Sequence, residues 1–427
     1  MLDAVLIYLP KPYLKQPDAQ APLGLLYISA MLLEKGRSID LKNYASYTDA
    51  KAIENLPEAT IYGITVTSME VYQANRFAEK IKTKFPESKV ILGGPGAYHE
   101  EFVNWKTIDS VCKGEGEFVI LDILNDAEKN KLKKVYIGKP VKNIDELPFP
   151  ARHLLKDSQG GNIFAYNKKY ADTESTVIIS SRGCPYNCSF CSAPSLTYNK
   201  SVRFRNPKNV ASEIRHVKEN YGVKQFRFSD DMFTASKKNV LELCKEIAKE
   251  DIAWRISCRV NPLDEEMLNA MWDAGCKELS FGIESFDNKV LKGLNKKATA
   301  EDNQRALEMS AKVGFKSRML LMIRTPFQTK ETIKINKKYI SSIPFNIIAC
   351  TAFIPIPNCD IWHNPKKYNI EILDKDLEKY NFYMFGPQGR RKIEPIIKIL
   401  DRPLDEFINE SEEFIDWIES LGKINRG

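Results

Sequence analysis

The stretch SSRGCPYNCSFC, residues 180–191, places three thiols within eight positions, Cys184, Cys188 and Cys191, in a chain of 427 residues with nine cysteines. Thiolates are soft ligands, suited to zinc or to iron–sulfur clusters. A closed structural zinc site takes four ligands and usually pairs two Cys-x-x-Cys hooks. No second hook follows here: Cys244, Cys258, Cys276, Cys350 and Cys359 are isolated, and His216 is a single imidazole in a charged helical stretch. A [4Fe–4S] cluster held by three thiolates leaves one iron open to a ligand that is not protein. The missing fourth cysteine would then be a coordination position kept free for chemistry. Buried structural cysteines and zinc are the competing readings.

Gly183 and Pro185 predict a loop around these thiols, with Tyr186 and Phe190 interleaved. The elements that would carry the loop are legible on both sides of it. From STVIISSRG onward come about six strand–helix units, including KQFRFSDD, AWRISCRV, KELSFGIES, KSRMLLMIRTP and NIIACTAFIPIP. Six such units predict an open, partial (βα) barrel, with the thiol loop after its first strand, on the carboxyl-end face where barrel sites are built.

Before them, AVLIYLP, SIDLKNY, ATIYGITVTS, KVILGGPG and SVCKGEGE alternate with helical patterns such as PLGLLYISAMLLEKG and VYQANRFAEKIKTKFP. That alternation predicts a Rossmann-like parallel sheet whose ligands lie outside the strands' carboxyl ends, where TVTS, GGPG and GEGE fall. The fold class expected is therefore α/β. Its predicted divisions are a first domain at 1–135, a linker at 136–172 where Pro140, Pro148 and Pro150 interrupt the pattern, a barrel at 173–357, and a small mixed segment at 358–427. Within that segment, KYNFYMFGP (379–387) is expected to plug the barrel's end, a pocket lining being the other reading.

Hydrophobic residues make up 43% and charged residues 28%, ordinary values for a globular protein, and the formal charge of +7 is mild. No span reaches the ~20 apolar residues of a membrane helix. MLDAVLIYLP enters a strand pattern without a basic leader or cleavage site, and an odd cysteine count suits no disulfide framework. A cytoplasmic monomer is expected.

The Cys-x-x-x-Cys-x-x-Cys hook followed by a six-unit barrel, over residues 173–357, resembles the radical S-adenosylmethionine (SAM) enzymes. FSDDMF (228–233) closes the second strand, GIESF (282–286) the fourth, MLLMIRTP (319–326) the fifth, and FIPIPNCDIW (353–362) is similar to the sixth-strand segment. The resemblance implies SAM contacts at Phe190, Ser229, Asp230, Arg259, Glu284 and Arg324. Relatives often read M-x-G-x-P in the fifth segment, and Arg324 departs from that; it could instead meet an anionic group. Competing roles are a surface carboxylate for Glu284, helix capping for Asp230 and Asp231, and ion pairs for Arg255 and Arg259.

PLGLLYISAMLLEKG, YGITVTS, VILGGPGAYH and CKGEGE, in that order over residues 1–130, resemble the cobalamin-binding domain that precedes many radical SAM enzymes. By that resemblance Leu23, Gly24, Thr67, Ser68, Gly93, Gly94, Pro95, Gly114 and Glu115 would hold cobalamin; plain turn chemistry is the alternative for the glycines. The D-x-H-x-x-G signature is absent, so His99 is not expected to ligate cobalt. The implied activity is SAM cleavage at a [4Fe–4S] cluster followed by methyl transfer from cobalamin to an unactivated carbon of a small-molecule or peptide substrate. An electron donor such as flavodoxin or ferredoxin would serve it. A radical rearrangement, cyclisation or oxidation without methyl transfer is the alternative. Methylthiolation is disfavoured because the N-terminal domain holds only Cys112. A metal-stabilised nucleic-acid-binding module is the distant alternative, with slight support from GRRK (389–392); nucleic acid is not the expected partner.

Overall fold

Strand β1 (Leu2–Tyr8) is an apolar run buried on both faces, which suits the inside of a parallel sheet. In the computed structural model, which describes residues 1–14, 17, 20–155, 175–196, 201–385 and 395–423, it pairs in parallel with β2 (Ile39–Asn43) and β3 (Ala59–Thr65). β4 (Lys89–Gly93), β5 (Ser110–Gly114) and β6 (Val135–Gly138) extend the sheet in the order β2-β1-β3-β4-β5-β6. Alternate residues feed two cores. Val5, Ile7, Tyr62 and Ile64 pack with Phe77 and Ile81 of α3 (Val71–Lys84), on the side that also takes α2 (Asp49–Glu54). Ala4, Leu6, Ile61 and Ile91 pack with Leu26 of α1 (Leu23–Glu34) and Ile123 of α4 (Gly116–Glu128). The strand order reverses direction between β1 and β3, so the crevice of this sheet opens at their carboxyl ends.

The chain divides into two compact units, residues 1–166 with 377–381, and 167–376 with 382–427. The predicted linker thus begins inside β6, and its residues 156–172 lie outside the described residues.

The second unit is a six-stranded parallel sheet of β7 (Ser175–Ile178), β10 (Gln225–Phe228), β11 (Ala253–Cys258), β12 (Cys276–Glu284), β13 (Lys316–Ile323) and β14 (Ile347–Ala352), each beside its neighbour in sequence. The antiparallel pair β8 (Ser181–Arg182) and β9 (Arg203–Phe204) lies between β7 and β10 in the chain. Consecutive parallel strands joined by right-handed crossovers carry all their helices on one face. The helices are α5 (Ala193–Leu196), α6 (Pro207–Tyr221), α7 (Lys237–Ile247), α8 (Glu265–Asp273), α9 (Asn288–Gly293), α10 (Ala300–Val313) and α11 (Lys330–Ser342). Their starts are set by sequence: Asn206, Ser236, Asp264, Thr299 and Thr329 each accept a first-turn N–H. The helix-covered face takes Phe226, Phe228, Trp254, Ile256, Leu279, Phe281, Met319 and Leu321, all buried. The other face is the lumen of an open six-strand barrel. The pattern predicted for residues 173–357 is present strand for strand.

The C-terminal segment holds α12 (Asp360–His363), an antiparallel pair of β15 (Ile370–Ile372) and β16 (Ile397–Ile399), α13 (Leu377–Phe385) and α14 (Leu404–Ser420). Leu377–Asn381 group with the first unit, Asn381 Nδ2 donating to the Met69 carbonyl at 3.1 Å, so this part of the expected barrel plug belongs elsewhere. The side chains of 382–385, and residues 386–394 with the GRRK motif, lie outside the described residues. No described helix is long and apolar enough to cross a membrane.

Candidate active site

The β8/β9 pair closes the base of the thiol loop, with Ser181 opposite Phe204 and Arg182 opposite Arg203. Gly183 starts the loop at φ +102°, and a Cβ there would stand 2.4 Å from the Ser201 carbonyl oxygen, so only glycine fits. Its N–H donates to Asp231 Oδ2 at 2.9 Å. Farther along, the Ser189 N–H donates to Leu294 O at 3.0 Å, and Ser189 O accepts from the Ile361 N–H at 3.1 Å. Asn295 Nδ2 donates to Asn187 O at 2.6 Å. The loop is therefore shaped by segments that follow β10, β12 and β14.

All three thiols are free of disulfides, and Cys188 is buried. Burial pushes the Cys191 thiol up to about 11 and raises Cys184 as well. Among the described residues no three His, Cys, Asp or Glu side chains gather around one ion position. Arg259 Nη1 stands 3.1 Å from Cys188 Sγ, its Nη2 donates to the Lys296 carbonyl, and its guanidinium stacks on Tyr186 at 3.9 Å. A cavity of about 640 Å³ opens against Cys188 and Cys191, and Asp360, Lys367 and Tyr368 also line it.

The other residues expected around SAM are placed as follows. Phe190 is half-buried in the loop, with Lys296 Nζ 5.9 Å from its ring. Ser229 is exposed just past β10, its N–H donating to Ile178 O. Asp230 is buried and fully engaged: Oδ1 accepts the Ser180 N–H at 2.8 Å, and Oδ2 accepts both the Ser180 and Ser181 hydroxyls at 2.6 Å. It ties β10 to the base of the thiol loop. Neither Asp230 nor Asp231 caps the next helix; Ser236 does. Glu284, at the end of β12, is not a surface carboxylate but 9% exposed, and it pairs with Lys296 at 2.6 Å. Arg324, just past β13, is buried; its N–H donates to Gln328 Oε1, and its Nη2 lies 3.9 Å from Glu412 of α14. Glu284 (φ +63°) and Arg324 (φ +56°) are both non-glycine residues in the left-handed region, a strain that gathers at functional sites. Arg255 makes an ion pair, to Glu278 at 3.1 Å. Lys296 and Asp231 were not among the expected site residues. Nothing local marks Lys296, which reaches Glu284 from twelve residues away.

Burial lifts the Asp230 carboxyl to about 6 against the pull of its three donors. A carboxyl raised in the folded state favours folding at low pH, and that contribution is lost as pH rises through about 6. Asp230→Asn should remove this slope. Denaturant unfolding at pH 4.5 and 7.5 should show the wild type losing about 2 kcal/mol that the variant keeps; parallel pH profiles would count against it.

In the first unit the residues expected around cobalamin all lie at the carboxyl edge of the sheet or at the start of α1. Leu23 and Gly24 open α1, and a Cβ on Gly24 would meet open space. Thr67 is exposed after β3. Gly93 ends β4, Gly94 follows at φ +81°, and a Cβ there would stand 2.7 Å from the Val66 carbonyl oxygen. Pro95 begins a 3-10 turn. Gly114 ends β5, and the Glu115 carboxylate accepts the Val141 N–H at 2.5 Å. Ser68 is buried, its hydroxyl 2.8 Å from His99 Nε2. That contact ties the segment after β4 to the segment after β3.

Residues 178–335 match the family model of the Radical SAM superfamily. The chain is 29% identical over 405 residues to an uncharacterised methyltransferase of Pyrococcus horikoshii, covering 88% of this chain and 83% of that protein. It is 27% identical over 376 residues to the anaerobic magnesium-protoporphyrin IX monomethyl ester cyclase of Rubrivivax gelatinosus, covering 82% of this chain and 66% of that one. In structure it is similar to the radical SAM methyltransferase TsrM from Kitasatospora setae, solved with cobalamin and a [4Fe–4S] cluster bound. The TM-score is 0.72 at 15% identity, over 99% of this chain and 93% of that one. The chain thus shares the fold of that methyltransferase over almost its whole length.

Proposed function

We propose that this radical SAM protein is a cobalamin-dependent methyltransferase acting on an unactivated carbon. The observation that carries the reading is the loop of Cys184, Cys188 and Cys191, buttressed from three strand ends and braced by Arg259. Three unbridged thiols on one loop, two of them lining a cavity of about 640 Å³, are the soft donor set that would hold an iron–sulfur cluster. When bound, the cluster supplies the electron that splits the carbon–sulfur bond of SAM, and cobalamin supplies the methyl group.

The chain's own part is to hold, orient and shield. Phe190 of the thiol loop, Ser229 after β10, Glu284 at the end of β12 and Arg324 after β13 are assigned to SAM. Lys296 occupies Glu284 Oε1 and leaves Oε2 to accept from the cofactor. Asp230 acts by positioning, since its oxygens are committed to Ser180 and Ser181. In the first unit, Thr67, Gly93, Gly94, Pro95, Gly114 and Glu115, with Leu23 and Gly24, form the cobalamin edge; Ser68 serves through His99. A flavodoxin- or ferredoxin-type donor and a small-molecule or peptide substrate complete the system.

The test is anaerobic reconstitution with iron, sulfide and cobalamin, followed by metal counting and incubation with SAM and dithionite. About four irons, one cobalt and 5′-deoxyadenosine support the reading; a lone tetrahedral zinc, or no cobalt, overturns it. The likeness to a cyclase favours a second reading, radical ring closure, which product mass separates from methylation by one CH₂. Arg259→Ala should keep its iron yet slow 5′-deoxyadenosine formation by about 10- to 100-fold and shift the cluster potential, because a charged donor to a ligating sulfur is lost; an unchanged potential would remove Arg259 from this role.

A further inference from the structure

The lumen face of the barrel carries a group of charges that the proposed chemistry leaves unused. On β10, β11 and β12 the parallel register sets Arg227 beside Arg255, and Arg255 beside Glu278. Arg318 projects from the same face of β13, one strand on. Glu278 is buried and meets Arg255 at 3.1 Å and Arg318 at 3.8 Å through the same oxygen, Oε1. Arg318 Nε is buried and makes no hydrogen bond among the described residues. Arg227, set beside Arg255 by the register, is half-buried and lies within electrostatic range of Arg318 and Glu278. Two guanidiniums thus meet one buried carboxylate, and a third stands on the same face beside Arg255. Gathering like charges out of water is unfavourable unless a counter-charge completes the set. Residual exposure of Arg255 (13%) and Arg318 (20%) shows that the group is reachable from solvent.

We propose that Arg227, Arg255 and Arg318 form the site that takes an anionic group of the substrate, a carboxylate or a phosphate-type oxyanion. Planar guanidiniums from neighbouring strands offer the paired N–H donors that such oxyanions accept. The inference deepens the methyltransferase reading and rests on it for the word substrate. The same strand also sets the scale. Arg255 lies four residues before Arg259, which touches Cys188 Sγ, a rise of about 13 Å. Between those levels the lumen face offers the small side chains of Ser257 and Ser280, and Gly282. The arrangement fits an elongated substrate, anchored by its charge at one end and reacting well away from it.

Equilibrium dialysis tests this on the full chain without SAM or reductant, using inorganic phosphate in one arm and acetate in the other. Saturable binding of one probe per chain is expected, phosphate preference pointing to a phosphoryl or phosphonate substrate and acetate preference to a carboxylate. Arg227→Gln and Arg318→Gln should each weaken it by about tenfold or more. Glu278→Gln, which removes the competing carboxylate, should strengthen it. Where a glutamine variant does not fold, Arg227→Lys and Arg318→Lys keep the charge and lose the planar fork, and should bind several-fold more weakly. Absence of saturable binding for both probes, or binding unchanged by the Arg227 and Arg318 substitutions, overturns the site. Dialysis requires no SAM cleavage, so a protein that binds phosphate but yields no 5′-deoxyadenosine would sink the function and leave the site standing.

Discussion

Alanine at Cys184, Cys188 or Cys191 is expected to abolish SAM cleavage, a fall of at least about 10³-fold, while the far-ultraviolet circular dichroism spectrum stays that of the wild type. The two effects separate because of how the loop is held. Its shape comes from main-chain bonds to Asp231, Leu294 and Ile361, none of which passes through a thiol. The barrel's hydrophobic face, with Phe228, Trp254, Leu279 and Phe281, is built by β10, β11 and β12 and not by the thiol loop. Serine replacements should fail in the same way, since a hydroxyl is a hard and weakly acidic donor. The measurement is iron and sulfide content together with 5′-deoxyadenosine yield. A variant lacking one of these thiols that retains a full cluster and its activity would show that the residue is no ligand.

Glu70→Ala should produce the largest loss of stability in the first unit, about 3–5 kcal/mol. Lys11, from the segment after β1, is 2% exposed and Glu70, from the segment after β3, 1%. Lys11 Nζ donates to Glu70 Oε1, the Tyr13 hydroxyl donates to the same oxygen at 2.5 Å, and the Thr67 N–H reaches Oε2 at 2.8 Å. Burial alone would raise the Glu70 carboxyl; the Lys11 charge and these donors outweigh it and hold the group below the ordinary carboxylate range. Its contribution is therefore present above the ordinary carboxylate pKa and disappears as pH falls through the lowered one. Removing the carboxylate strands an ammonium inside the protein, and the two loops bordering the sheet's crevice lose their tie. The melting temperature should drop by about 10 °C. Lys11→Met combined with Glu70→Leu should cost much less than Glu70→Ala alone; equal losses would mean that the pair matters only as packing.

Much of this architecture was legible before any coordinates. The three cysteines are marked by spacing, and the barrel strands by short apolar runs separated by amphipathic helices with clear caps. Features that depend on strand register were not legible. Asp230 reads in FSDDMF as a SAM contact, or else as a helix cap, and only the pairing of β7 with β10 brings it to Ser180 and Ser181. β6 is four residues long, at the border of a proline-rich tract, and carries no periodicity of its own. Arg227 and Arg318 carry no local signal and Arg255 reads only as one half of an ion pair; only alignment of neighbouring strands makes the three a group. The left-handed backbone at Glu284 and Arg324 also has no local signal, because neither residue type favours it.

The way the thiol loop is buttressed has a consequence for biosynthesis. Asp231, Leu294 and Ile361 leave the ribosome roughly 40, 100 and 170 residues after the cysteines, and a growing chain folds from its N-terminal end. Newly made thiols therefore wait, unsupported and open to oxygen, until most of the barrel has been translated. A cluster carried on these thiols would then be inserted late, once the segments after β12 and β14 are in place to shape the loop.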